Sequence, residues 1–107
     1  MSLDVTLVED GVDEVFEYNI THNLNTMAGK AGIYKHLWRP EELSISKAES
    51  LIEPLTEGLK LLKDKPEDFQ HYNPQNGWGR YENLVEFVEK YLEACIDNPT
   101  AVIYVNR

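Results

Sequence analysis

The sequence predicts an α+β fold, a small, mainly antiparallel three-stranded sheet in the order β-β-α-α-α-β, covered by helices. Three observations carry this. Apolar and polar residues alternate over 15–22, two later stretches repeat apolar residues at helical spacing, and residues 101–106 form a β-branched, aromatic run too short for a helix. Strands at both ends of the chain with helices between them bury one sheet face most simply when the helices cover it.

The first strand is expected near 4–9, where Val5 and Leu7 share a face, and Gly11 marks the turn that follows. The second is expected near 14–21. There Phe16, Tyr18 and Ile20 fall on one face and Glu17, Asn19 and Thr21 on the other, which is the period of a half-buried strand and makes it the hairpin partner of the first. Leu24, Met27, Ala28 and Ala31 then follow the i, i+3, i+4, i+7 rule, so a helix is expected near 24–38, weakened by Gly29 and Gly32 and ended by Pro40. Residues 33–38 either continue it or form a separate turn.

A second helix is expected near 46–63. Ser46 and Glu49 have the spacing of a capping box, and Ala48, Leu51, Ile52, Leu55, Leu59 and Leu62 make the apolar stripe. Pro54 lies inside it and predicts a kink or two shorter helices, because proline removes one hydrogen bond and crowds the preceding turn. Residues 65–79 read as a loop rich in turn formers. The third helix is expected near 80–97, with Tyr81, Leu84, Val85, Val88, Leu92 and Cys95 buried and Tyr91 beside them, stopped by Asn98-Pro99. Residues 101–106 supply the third strand.

A chain of 107 residues is the usual size of one domain, so a single domain over 1–107 is expected. With 42% apolar and 27% charged residues it is too apolar for a disordered segment. Its formal net charge is −9, and six acidic residues precede the first basic one, Lys30. Such a surface repels phosphate backbones, which excludes general nucleic-acid binding; the plain account of the acidic stretch is a solvated face. One cysteine, Cys95, rules out an intrachain disulfide and reads as a small core residue. With no membrane-length apolar run and no leader pattern, a cytoplasmic protein is expected.

Nucleotide-loop, nucleophile-elbow and metalloprotease signatures are absent from the sequence, and His22, His36 and His71 are scattered, so neither a metal, a cofactor nor a catalytic residue is assigned. Two segments stand out instead. The first, Asn19-Ile20-Thr21-His22-Asn23-Leu24-Asn25, lies at a strand-to-helix junction. It offers amide, hydroxyl and imidazole groups for a ligand; the competing account makes Thr21 or Asn23 a helix cap and the rest a turn. The second, residues 72–82, runs through Asn76, Gly77 and Trp78 to Arg80 and Tyr81 at a helix start. Arg80 and the helix amides suit an anion there, and Trp78 and Tyr81 suit a planar ring; the competing account has Trp78 plugging the core. With Trp38, the candidate ligand-binding set is Asn19, His22, Asn23, Trp38, Asn76, Gly77, Trp78, Arg80 and Tyr81, expected to converge on one concave site.

Asn-Ile-Thr-His-Asn-Leu at 19–24, Met27-Ala28, Ala31-Gly32-Ile33-Tyr34 and Leu37-Trp38-Arg39-Pro40, followed by Asn73-Pro74, Asn76-Gly77-Trp78-Gly79 and Tyr81-Glu82, resemble a family of small uncharacterised phage and prophage proteins. The resemblance spans about 17–107 and implies a phage-like context without a catalytic mechanism. The leading expectation is a non-enzymatic protein that binds a small polar or nucleotide-like ligand. The first alternative is an acidic interaction module that inhibits a host protein or mimics nucleic acid. The second is a small hydrolase using His22 with Glu82 or another carboxylate.

Overall fold

The expected sheet is present, with β1 (Ser2–Glu9) at its centre, flanked by β2 (Asp13–Thr21) and β3 (Val102–Asn106), both antiparallel to it. The computed structural model describes residues 2–73 and 79–107. Register explains which face is buried. Leu3, Val5 and Leu7 pair with Ile20, Tyr18 and Phe16 on one side, and Val5 and Leu7 pair with Val105 and Ile103 on the other. Opposed residues in an antiparallel pair share a face, so these eight side chains form one apolar surface. A bulge between Leu7 and Val8 leaves Val15 as the extra residue of β2.

Between the strands the chain runs through a 3-10 turn (His22–Leu24), α1 (Asn25–Lys30), α2 (Tyr34–Trp38), a second 3-10 turn (Pro40–Leu43), α3 (Glu49–Asp64), α4 (Pro66–Gln70) and α5 (Tyr81–Asp97). The helix expected over 24–38 is thus two helices. Gly32, at φ +78°, ends the first: its N–H donates to the Gly29 carbonyl and the Ile33 N–H to the Ala28 carbonyl. That pair of bonds is the Schellman arrangement, which needs a left-handed residue just past the helix.

The capping box expected at Ser46 and Glu49 is also replaced. Residues 46–49 lie along the outer edge of β3, where the Ala48 and Glu49 amides donate to the Ala101 and Pro99 carbonyls at 2.9 Å each. The Ser46 carbonyl accepts from the Ile103 N–H at 2.9 Å, and Lys47 bridges Val102. Carbonyls of the segment that leads into β3 therefore satisfy amides that a side chain would otherwise cap. Helix α3 continues through Pro54, so the expected division into two shorter helices does not occur. Within 65–79, which reads as loop, residues 66–70 are helical. Pro66 starts α4, where its missing N–H costs no bond, and Phe69 is buried.

Helix α5 packs on β2 through aromatic rings. Phe16 lies 5.5 Å from Tyr91 and Tyr18 lies 5.0 Å from Phe87, centroid to centroid. Its buried face is Tyr81, Leu84, Phe87, Val88, Tyr91, Ala94 and Cys95, with Val85 and Leu92 only partly covered. The stripe is thus turned toward Phe87 relative to the expected one. Leu51, Leu55 and Leu62 of α3 complete the core, in which Leu55 and Val88 are fully buried. No helix among the described residues is long and apolar enough to cross a membrane.

Candidate functional site

The end of β2 and the start of α5 meet, and a glycine makes the meeting possible. Gly79 adopts φ +83°, and a Cβ built on it would lie 2.3 Å from Cγ2 of Thr21 and 3.2 Å from Cγ of Leu24. No side chain fits there without displacement, because carbon atoms normally approach to about 3.5–4.0 Å. The strand-to-helix junction and the segment entering α5 therefore share a boundary at Gly79. Beside it is a cleft of about 220 Å³ lined by Tyr18, Asn19, Ile20, Thr21, Gly79 and Asn83.

Each wall is held by hydrogen bonds. Thr21 Oγ1 accepts from the Asn23 N–H at 3.3 Å and caps the 3-10 turn. Asn19 points away from the core face, where its Nδ2 donates to Ser2 Oγ at 2.9 Å and to Asp4 Oδ1 at 2.6 Å. At the other wall the Tyr81 N–H donates to Asn73 Oδ1 at 2.7 Å, and the Arg80 N–H donates to Asn83 Oδ1 at 2.8 Å. The two asparagines give α5 its start, since free first-turn amides need acceptors. The Tyr18 hydroxyl donates to Glu86 at 3.1 Å, and burial followed by that carboxylate raises its pKa.

The sequence candidates divide among different environments. Asn19 lines the cleft. His22 and Asn23 follow it in the 3-10 turn, with Asn23 exposed. His22 Nδ1 accepts from the Trp38 indole N–H at 2.7 Å, so that lone pair already serves the protein. Trp38 is 2% exposed and stacks on Tyr34 with centroids 5.6 Å apart, which makes it a core residue. Tyr81 is likewise buried, its hydroxyl donating to the Leu62 carbonyl at 2.6 Å. Arg80 is exposed and pairs with Glu82 at 3.7 Å. Asn76, Gly77 and Trp78 lie outside the described residues.

Besides Asn19, the cleft is lined by Tyr18, Ile20, Thr21, Gly79 and Asn83, none of which is a sequence candidate. Thr21 and Gly79 lie inside the two segments singled out, but Tyr18 reads as a core-face residue and Asn83 as one polar residue on a helix. Asn83 carries a signal in retrospect, three residues after Arg80 at a helix start. Among the described residues no group of three or more His, Cys, Asp or Glu is placed to hold a metal. Cys95 is buried, and burial pushes its thiol up to about 12, which keeps it protonated and unreactive near neutral pH. Comparison with protein-family models, curated proteins and solved structures finds no match.

Proposed function

We propose that the protein is a non-enzymatic binding protein that holds a small polar ligand in the cleft between the end of β2 and the start of α5. The contact of Gly79 with Thr21 carries this reading, because it joins two segments rich in amide and hydroxyl groups. The bonding pattern gives the cleft a polarity. Asn19 spends its N–H groups on Ser2 and Asp4, leaving Oδ1 to accept, and Asn83 spends Oδ1 on Arg80, leaving Nδ2 to donate. A ligand that offers a donor beside an acceptor, as a primary amide or the edge of a nucleobase does, complements this pair. At about 220 Å³ the cleft is smaller than the ~300–1,000 Å³ typical of pockets that enclose a drug-sized ligand, so it takes a head group rather than a whole nucleotide. The resemblance to small phage proteins accords with capture rather than turnover.

The test is a thermal-shift screen of nucleobases, nucleosides, nucleotides and primary amides, repeated on Asn19→Ala. A ligand at about 100 times its Kd stabilises the folded state by about 2.7 kcal/mol, which such a screen reads. Asn19→Ala removes the exposed bonds to Ser2 and Asp4, so it should cost the unliganded protein about 0.5–1.5 kcal/mol, leave it folded and abolish the shift. A panel with no hit, or hits that survive Asn19→Ala, would defeat the proposal.

A further inference from the structure

A larger concavity lies away from this cleft. A groove of about 670 Å³ runs between α3 and the turn that joins α1 to α2. Ile33, Pro54, Gly58 and Leu61 form its apolar part, and Leu61 is 39% exposed whereas Leu51, Leu55 and Leu62 of the same helix are fully buried. Leu61 also borders a second groove of about 560 Å³, whose lining includes the charged residues Lys30, Lys65, Glu67 and Asp68.

Glu49, Glu53 and Glu57 form the charged wall. Their i, i+4, i+8 spacing sets them in a row about 12 Å long on one side of α3. All three are exposed, and within the described residues none is in an ion pair, whereas Glu41, Glu42, Glu82, Glu86 and Glu89 each have a basic partner. Like charges four residues apart on a helix repel, so this row costs the free protein a little stability. His36 lines the same groove, and its Nδ1 is buried without a hydrogen-bond partner.

We propose that this groove is the docking surface for a basic, amphipathic segment of a partner protein, whose Lys or Arg side chains pair with Glu49, Glu53 and Glu57 while an apolar side chain rests on Pro54 and Leu61. Charge complementarity selects the partner. The unpaired carboxylate row calls for cations at helical spacing, and the apolar strip calls for a side chain that a simple polyamine lacks. This inference is independent of the ligand cleft, with which the groove shares no lining residue.

The experiment selects random peptides of about 12 residues, long enough as a helix to cover the row, by display against the intact protein. Selected peptides are then measured by fluorescence anisotropy at low and high salt against wild type, the double variant E53Q/E57Q, and E14Q/E17Q, which removes the same charge from β2. Selection should enrich Lys and Arg together with apolar residues. E53Q/E57Q should weaken binding by about tenfold or more, E14Q/E17Q by less than about twofold, and added salt should weaken wild-type binding. Matching circular-dichroism melts show that the double variant is folded. No enrichment, enriched peptides without basic residues, equal losses in the two double variants, or spermine competing as strongly as the peptide would each overturn the proposal.

Discussion

Replacing Gly79 by alanine tests the contact on which the ligand cleft depends. Two costs are expected. At φ +83° an alanine sits in the left-handed region, at about 1–2 kcal/mol. Its Cβ would also stand 2.3 Å from the Thr21 methyl, more than 1 Å inside an ordinary contact, and forcing such a group into packed surroundings costs about 1–3 kcal/mol. Gly79→Ala should therefore lose about 2–5 kcal/mol. Gly32 provides the reference, since it has φ +78° with nothing within 4 Å of its would-be Cβ, so Gly32→Ala should lose only the backbone cost. Thr21→Ser isolates the clash, because serine keeps the oxygen that caps Asn23 and lacks the methyl. Urea melts of the four proteins in the Thr21/Gly79 cycle give the coupling directly. Equal losses for Gly79→Ala and Gly32→Ala, or no recovery of Gly79→Ala in the Thr21→Ser background, would refute the reasoning.

Leu55 is fully buried at the middle of α3, so Leu55→Ala should cost about 2–5 kcal/mol in a denaturant melt, and a loss below about 0.5 kcal/mol would contradict its place in the core. Cys95 supplies a pH prediction. Its thiol is raised by burial to about 12, so the protonated form is favoured in the folded state; the resulting stability is complete below the unfolded thiol's pKa of about 8.5 and is lost as pH rises toward 12. Burial raises Tyr91 in the same direction. Melts from pH 8 upward should show falling stability, less steep in Cys95→Ala, and a thiol reagent at pH 8 should label Cys95 only as fast as the protein opens; rapid labelling of the folded protein would contradict its burial.

Legibility in the sequence followed the range of the forces involved. Phe16, Tyr18 and Ile20 reveal β2 because strand alternation is local. The face of α5 was less legible, since Val85 and Leu92 suit a helical stripe as well as Phe87 does. What decides between them is the pair of rings on β2, Phe16 and Tyr18, far away in sequence. The break at Gly32 was readable, because Ala31-Gly32-Ile33 has the small, left-handed and apolar residues of a Schellman end. The start of α3 was not, because its amides are satisfied by carbonyls around residue 100. At the site, the two polar segments were recognisable as unusual, but a polar group looks the same in sequence whether its partner is a ligand or the protein. Trp38 and Tyr81 proved to have protein partners, His22 and the Leu62 carbonyl.

The strand order bears on how the molecule assembles in time. Strand β1 pairs with β2 across a short turn, but its other edge waits for β3, with Asp4 opposite Asn106. Closing so long a stretch of chain is slow compared with forming a hairpin. Until it closes, the backbone groups of Asp4, Thr6 and Val8 on that edge are open to pairing with another chain. A ribosome delivers β1 and β2 first and the residues of β3 last of the three, so the nascent hairpin carries an open, apolar edge throughout the synthesis of every helix. Substitutions that weaken β3, such as a proline at Ile103, should therefore lower soluble yield more than equilibrium stability alone would suggest.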